Sequence, residues 1–180
     1  MNLRVQKLTE KLKDLGLDAV LVSSLYNRRY LSGFTGSNAY LYISPSQQIL
    51  LTDFRYLEQA AAQCPDFRIV EYRNAGLTET LEKYLQADNV KICGFEGNQM
   101  TFAEYRLLVD KLSAVEWKSM GDAVEQLRML KTPEELVLLR KASQIGDQAF
   151  SHMLDFIKPG LTEKEIGIEL EFTMRKLGAE

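Results

Sequence analysis

The chain has 180 residues, of which 46% are hydrophobic and 26% are charged, with a formal net charge of −3. This composition is typical of a globular protein with a sizeable core, and it argues against intrinsic disorder. A weakly acidic chain offers no electrostatic basis for binding nucleic acid or an anionic membrane, so we expect neither as a partner. No apolar run is long enough to cross a bilayer, and the start, MNLRVQKLTEK, lacks the apolar core of a secretory signal.

The first segments of the chain alternate between helix-like and strand-like patterns. Val5, Leu8, Leu12 and Leu15 have helical spacing, and Gly16 follows them as a helix end. DAVLVSS then predicts a short buried strand. After a polar and aromatic stretch, AYLYIS and ILLTD predict two strands that form a hairpin around the turn PSQQ.

The alternation continues through the middle of the chain. FRYLEQAAAQC and LTETLEKYLQA are helix candidates, and each precedes a strand candidate, FRIVEY and VKICGF. Thr101 and Glu104 form a capping box for a helix in MTFAEYRLLVDKL, and VEWKS is the last strand candidate. The pattern predicts an α/β domain over residues 1–119, three-layer-like, with helices flanking a central sheet that the hairpin makes mixed rather than parallel.

Beyond this domain the pattern becomes purely helical. Residues 120–131 are interpreted as a linker, and residues 132–180 as two or three helices of a second domain. Capping boxes predict that one helix begins at Thr132 and another at Thr162. Both helices carry apolar stripes, so we expect them to pack against each other, against the first domain or against a second copy, or else to be poorly ordered.

A search for catalytic chemistry finds few candidates. His152 is the single histidine, which excludes a site built from several histidines, and its position predicts a surface or boundary residue. Cys64 and Cys93 are far apart in sequence and form no CxxC pair. We interpret them as reduced packing residues of a cytoplasmic protein. No serine has the G-x-S-x-G context of a hydrolase nucleophile.

Two polar stretches are the remaining candidates for a site. NRRY, residues 27–30, places two arginines and a tyrosine beside GFTGSN, which lacks the G-K-[ST] ending of a phosphate-binding loop and predicts a tight turn at a pocket rim. The arginine pair is either a solvated basic face or a carboxylate-binding site. Asp53 follows a strand and precedes Phe54, Arg55 and Tyr56. We interpret Asp53 either as a helix N-cap or as a site residue.

These stretches carry a family resemblance. NRRYLSGFTGSNAYLYIS and ILLTDFRYLEQA resemble the two signature stretches of the creatinase/prolidase N-terminal domain. That domain is the non-catalytic front half of proline-specific "pita-bread" metallopeptidases, the Xaa-Pro aminopeptidases and Xaa-Pro dipeptidases. LRMLKTPEELVLLRKASQIGDQAF and KPGLTEKEIGIELEFTMRKLGAE resemble the first two helices of the catalytic domain. Phe54 departs from the family pattern, in which many relatives have glycine or serine.

The resemblance implies an order of domains and an activity. Residues 1–119 correspond to the N-terminal domain, and residues 132–180 to the first helices of an incomplete pita-bread catalytic domain. The parent protein is implied to hydrolyse Xaa-Pro bonds in short proline-containing peptides with two divalent metal ions, manganese, cobalt or zinc, that share a hydroxide. The family's metal ligands are two aspartates, one histidine and two glutamates. They match no residue of this chain, which is therefore expected to contain no catalytic or metal-binding residue and to be inactive alone.

The resemblance also implies an indirect role for the first domain. It narrows access to the active site and makes the contacts of a homodimer in a cytoplasmic enzyme. Arg29, Tyr30, Arg55 and Tyr56 are the candidates for contacts with the ends of the substrate. The alternative is a stand-alone, non-catalytic module of the same fold that binds peptides or forms oligomers.

Overall fold

The computed structural model describes residues 2–72 and 76–179. The chain divides into two compact units, Met1–Met129 and Leu130–Glu180. Among the described residues, no helix combines the length and the apolar character that a membrane span requires.

The first unit is built on a mixed sheet whose described strands have the order β4-β3-β2-β1-β5-β6. The β1–β2 and β2–β3 pairs are antiparallel, while β1–β5, β3–β4 and β5–β6 are parallel. The strands are β1 (Ala19–Val22), β2 (Ala39–Ile43), β3 (Gln48–Thr52), β4 (Arg68–Glu71), β5 (Ile92–Phe95) and β6 (Glu116–Ser119). The helices are α1 (Leu3–Leu15), α2 (Leu25–Ser32), α3 (Leu57–Gln63), α4 (Gly76–Ala87), α5 (Phe102–Lys111) and α6 (Ala123–Met129), with a 3₁₀ turn at Phe54–Tyr56.

Helices cover both faces of this sheet, which confirms the predicted three-layer arrangement. Alternate residues of β1 point to opposite faces. Val20 and Val22 pack in a core with residues of α1, α2, α3 and α6. Ala19 and Leu21 pack in a second core with residues of α4 and α5. Burial on both sides explains why β1 is a continuous apolar run in the sequence.

The predicted end of the first helix, at Gly16, is confirmed. Asn2 caps α1 by accepting a hydrogen bond from the backbone N–H of Arg4. Gly16 follows the helix in the left-handed conformation, with φ at 64°, and its N–H bonds to the carbonyls of Leu12 and Lys13. Glycine adopts this conformation without steric cost, so the helix ends where the sequence predicts.

Two helices lie where the sequence predicts none. Helix α2 occupies the polar and aromatic stretch after β1, and its inward-facing residues include Asn27 and Arg28. These buried polar side chains interrupt the apolar periodicity by which a helix is recognised. Helix α6 lies within residues 120–131, the expected linker, with Ala123 and Val124 buried. The domain boundaries themselves stay a prediction.

The second unit contains two long helices, α7 (Pro133–Phe156) and α8 (Glu163–Lys176). Both begin with the predicted capping boxes. The two helices contact each other, and Ala149 and Met153 of α7 are buried. His152 is an exposed residue that bonds to Glu169 of α8, with 2.8 Å between Nε2 and Oε1. Large apolar side chains of this unit are exposed, among them Leu136, Val137, Leu138, Leu139, Phe150, Leu154, Ile168 and Phe172.

Asp88 anchors the β2–β3 hairpin to the end of α4. Its carboxylate accepts hydrogen bonds from Tyr42 Oη, Ser44 Oγ, Ser46 Oγ and Gln47 Nε2 at 2.6–2.8 Å. Burial opposes ionisation of Asp88, but the hydrogen bonds, led by that of Ser44, outweigh it and lower the pKa of the carboxyl group. Burial and the contact with Asp88 in turn raise the pKa of Tyr42.

Replacing Asp88 with Asn is expected to lower the free energy of unfolding of the first unit by about 1–2 kcal/mol at neutral pH. This change in the free energy of unfolding is small for the loss of several charge-assisted hydrogen bonds, because the Asp88 carboxylate is partly solvated. Because folding lowers the pKa of Asp88, its contribution is full above the ordinary value of about 3.9 and is lost as the pH falls through the lowered pKa. Urea unfolding at pH 7 and pH 3 measures both effects. An unchanged midpoint at pH 7 would contradict the anchoring role.

Candidate functional site

Polar side chains gather at one edge of the sheet in the first unit. The carboxyl ends of β1, β3 and β5 lie at this edge, as does the amino end of the antiparallel β2. Ser23, Asp53 and Glu96 follow the three strands, and Asn38 precedes β2. In open α/β sheets, ligands bind outside the carboxyl ends of the strands, so this edge is the candidate functional surface.

Glu96 fills the crevice between β1 and β5. The chain leaves β1 toward β2 and leaves β5 toward β6, in opposite directions across the sheet, which defines a topological switch point. Glu96 is only 2% exposed, and its Oε2 accepts hydrogen bonds from the backbone N–H groups of Ser23 at 2.6 Å and Ser24 at 2.7 Å. The amide of Asn27 donates to Oε1 at 2.7 Å. The chain's own carboxylate therefore occupies the place where an anionic ligand would bind.

The Glu96 network extends to helix α6. The amide nitrogen of Asn27 also donates to Glu125 Oε1 at 2.8 Å, and Arg128 Nη1 donates to Asn27 Oδ1 at 3.0 Å. The Arg128 guanidinium lies 5.9 Å from the ring centre of Tyr26. These contacts tie α2, α6 and the end of β5 into one polar assembly.

A second polar group at this edge contains the sequence-predicted residues Arg55 and Tyr56. We name it the rim cluster and define it as Ser37, Asn38, Asp53, Arg55 and Tyr56. Arg55 donates to Asp53 through Nε at 2.9 Å and Nη2 at 2.8 Å, and its backbone N–H also bonds to Asp53. Asn38 Nδ2 donates to Asp53 Oδ2 at 2.6 Å, and Ser37 Oγ lies 2.7 Å from Tyr56 Oη.

The ion pair in the rim cluster is both fixed and accessible. The hydrogen bond from Arg55 holds the pKa of Asp53 well below its usual range, and Asp53 likewise raises the pKa of Arg55. The Arg55 side chain is nevertheless 57% exposed. A guanidinium has five N–H donors, and Asp53 takes only two of them, so Arg55 retains donors for an external carboxylate.

Neighbouring side chains hold the rim cluster from the sheet side. Tyr72 Oη donates to Asn38 Oδ1 at 3.0 Å, and Thr52 Oγ1 donates to the Asn38 carbonyl at 2.6 Å. Tyr56 packs edge-on against the buried ring of Phe34, with 5.9 Å between the ring centres. A cavity of about 210 Å³ adjoins the cluster, and residues lining it include Ser37 and Asn38.

The structure brings two of the four sequence-predicted rim residues together. Arg55 and Tyr56 are neighbours in the rim cluster, whereas Tyr30 contacts other elements. Its hydroxyl donates to the carbonyl of Leu127 in α6 at 3.2 Å, and the Arg4 guanidinium lies 4.5 Å from its ring centre. Arg29 is exposed on α2. The roles of all four residues in substrate binding stay predictions.

Sequence reasoning missed three residues that organise this edge: Arg28, Asn38 and Glu96. Arg28 is buried, although its sequence position beside Arg29 suggested a solvated pair or a carboxylate site. The available signal for Glu96 is its place directly after the apolar strand ICGF, where an acidic side chain reaches the strand ends. Nothing in the sequence distinguishes Asn38 from an ordinary turn residue.

The described residues do not match the metal ligands of the family that the chain resembles. Within the described parts of the chain, no group of three or more histidine, cysteine, aspartate or glutamate side chains is placed to hold a metal ion. The rim cluster offers one carboxylate, Asp53, which Arg55 and Asn38 already engage.

The fold and its polar edge define the class of this protein as a mixed α/β domain followed by a pair of long helices. The chain belongs to the creatinase/prolidase N-terminal domain family, whose family model matches residues 4–130. The resemblance found in the sequence motifs is thereby confirmed.

Related proteins extend this similarity over nearly the whole chain. The peptidase YqhT of Bacillus subtilis is 39% identical over 178 residues, which cover 99% of this chain and 50% of that protein. A solved Xaa-Pro dipeptidase from Bacillus anthracis is 36% identical, with a TM-score of 0.92 over 98% of this chain and 49% of that one. An X-Pro aminopeptidase from Thermotoga maritima is 31% identical, with a TM-score of 0.83 over 98% of this chain and 50% of that one. The chain thus spans about half the length of these relatives.

Proposed function

We propose that the chain is the N-terminal portion of a metal-dependent peptidase that cleaves Xaa-Pro bonds in short peptides. The observation that carries this proposal is the match of 98% of the chain, helices α7 and α8 included, to half of a solved Xaa-Pro dipeptidase. The two divalent metal ions, manganese, cobalt or zinc, would be held by residues of the parent protein that are not in this chain. The chain alone is accordingly proposed to be inactive.

In this proposal the first unit contributes substrate gating and the contacts of a homodimer in a cytoplasmic enzyme. The rim cluster supplies the gating chemistry. Asp53 holds Arg55 in one orientation, so a peptide carboxylate can bind the remaining guanidinium donors with little further ordering of the side chain. Tyr56, fixed by Ser37, would flank the bound peptide. Arg29 and Tyr30 are proposed as further rim contacts.

Replacing Arg55 with Ala in the full-length protein is expected to lower kcat/KM for an Xaa-Pro dipeptide about tenfold, mainly through KM. The reason is the loss of a charge-assisted hydrogen bond to the peptide carboxylate. Steady-state hydrolysis of the dipeptide with added Mn²⁺ gives both constants.

Arg106→Ala is the matched control for this experiment. Arg106 forms an ion pair with Asp110 and has a side chain 56% exposed, close to the exposure of Arg55. It lies on α5, outside the rim cluster, and its replacement is expected to leave KM unchanged. Equal effects of the two substitutions would exclude a specific role for Arg55. Absence of Xaa-Pro cleavage by the wild-type full-length protein would overturn the proposed function itself.

A further inference from the structure

Arg28 is a buried cation that forms hydrogen bonds with the backbone beside the rim cluster. It lies on helix α2 and is only 3% exposed. Nη1 donates to the carbonyl of Ala39, and Nη2 donates to the carbonyl of Ser37 at 3.1 Å. The two acceptors flank Asn38, so the planar guanidinium spans the segment 37–39 as a fork.

Burying the Arg28 guanidinium costs desolvation free energy, and the hydrogen bonds of this side chain indicate its structural role. Desolvation lowers the pKa of the guanidinium, although the nearby Tyr40 and Glu96 partly oppose this effect. A buried arginine ordinarily pairs with a carboxylate, but both of these hydrogen bonds from Arg28 go to backbone carbonyls. Nε has no hydrogen-bond partner among the described residues. The side chain is therefore placed to fix a backbone conformation.

The segment 37–39 that Arg28 binds contains the two side chains, Ser37 and Asn38, whose hydrogen bonds hold Tyr56 and the Asp53–Arg55 pair. Ser37 Oγ bonds to Tyr56 Oη, and Asn38 Nδ2 bonds to Asp53, which holds Arg55 through two further hydrogen bonds. A rotation of the peptide groups around Asn38 would therefore displace both supports together.

We propose that Arg28 is a positioning residue for the rim cluster. By fixing segment 37–39, it sets the orientation of Asn38 and Ser37, and through them that of the Asp53–Arg55 pair and of Tyr56. The importance of this for substrate binding rests on the proposed function, but the positioning itself does not. Arginine is required because its rigid fork reaches two carbonyls at once, whereas the single ammonium of lysine has no matching planar geometry.

The test compares Arg28→Lys with Arg29→Lys in the 180-residue chain, without peptide or metal. Both changes keep the charge, and Arg29 is exposed on the same helix. NMR spectroscopy measures the titration of the Asp53 carboxyl group and the hydrogen exchange of Arg55 Nε–H. In Arg28→Lys we expect the Asp53 pKa to rise toward its ordinary value and the Nε–H to exchange about tenfold faster, the equivalent of one lost hydrogen bond. Arg29→Lys is expected to change neither.

A second variant tests the path from Arg28 through Asn38. Asn38→Ala removes the amide that bonds to Asp53, so it is expected to raise the Asp53 pKa. Adding Arg28→Lys to Asn38→Ala should raise that pKa by less than Arg28→Lys does alone, because the two residues act in series. Full additivity of the two shifts would overturn the proposed path.

A purely structural role for Arg28 gives a different result. It would lower the stability of Arg28→Lys while leaving the Asp53 and Arg55 signals as in the wild type, and this outcome would overturn the proposal. If Arg28→Lys does not fold, the result for Asn38→Ala decides the proposal alone. An unchanged Asp53 pKa in that variant would show that Asn38 does not connect Arg28 to Asp53. None of these signals depends on peptidase activity. Failure of the positioning proposal is thus distinguishable from failure of the proposed function, which the Arg55→Ala kinetics test.

Discussion

Replacing Glu96 with Ala is expected to destabilise the first unit by about 3–5 kcal/mol. The substitution removes a buried carboxylate and leaves the backbone N–H groups of Ser23 and Ser24 without their acceptor. The Asn27 amide loses one of its two acceptors and keeps Glu125. Each buried donor left unpaired costs about 1–3 kcal/mol. Because the carboxylate joins the ends of β1 and β5, we expect the loss to affect the whole sheet.

Unfolding by urea, followed by tryptophan fluorescence, measures this effect in the intact chain. Trp117 is the single tryptophan and is 7% exposed in the core between the sheet, α4 and α5, so its emission reports on the first unit alone. Glu96→Gln keeps one acceptor oxygen and is expected to lose about half as much stability. Glu116→Ala, at an exposed position on β6, is the control and should change stability by less than about 0.5 kcal/mol. A similarly small change in Glu96→Ala would contradict the prediction.

Replacing Gly36 with Ala is expected to cost about 2–3 kcal/mol and to disturb the rim cluster. A Cβ atom at this position would lie 2.3 Å from Cζ of Phe34 and 2.8 Å from Cδ1 of Tyr56. The Phe34 ring is fully buried in a hydrophobic core, so it can move only by displacing the side chains packed around it. Overpacking of this kind typically costs about 1–3 kcal/mol, and a rigid aromatic neighbour favours the upper part of that range.

Two measurements separate the packing effect of Gly36→Ala from a general loss of structure. Urea unfolding gives the loss of stability, and NMR spectroscopy reports whether the Tyr56 ring leaves its contact with Ser37. Adding Phe34→Leu, which shortens the side chain that the new methyl group meets, is expected to restore part of the lost stability. A double variant that loses the full sum of both single effects would show that the predicted clash does not occur.

The fold was largely predictable from the sequence because its signals are local. Gly16 ends α1 and the capping residues Thr101, Thr132 and Thr162 begin their helices as expected, since each of these contacts lies within one helical turn. Apolar strands such as β1 were visible because both faces of the sheet are covered.

The candidate site was only half predictable, because its geometry depends on contacts between distant segments. The family motifs selected Arg55, Tyr56 and Tyr30 together, but they do not show that Tyr30 contacts α1 and α6. The role of Tyr30 at the substrate rim stays a prediction. The burial of Arg28 was also not visible, because a charged residue beside a second arginine normally predicts solvent exposure. Only the approach of segment 37–39 to α2 shows what this arginine binds.

The two outer strands of the sheet have a consequence for the behaviour of the protein at high concentration. An outer strand presents unpaired backbone groups that can add a strand from another molecule, and charged side chains discourage this. Arg68 and Glu71 lie on β4, and Glu116 and Lys118 lie on β6. Each of these strands has only four residues. Short outer strands with charged side chains disfavour aggregation by strand addition.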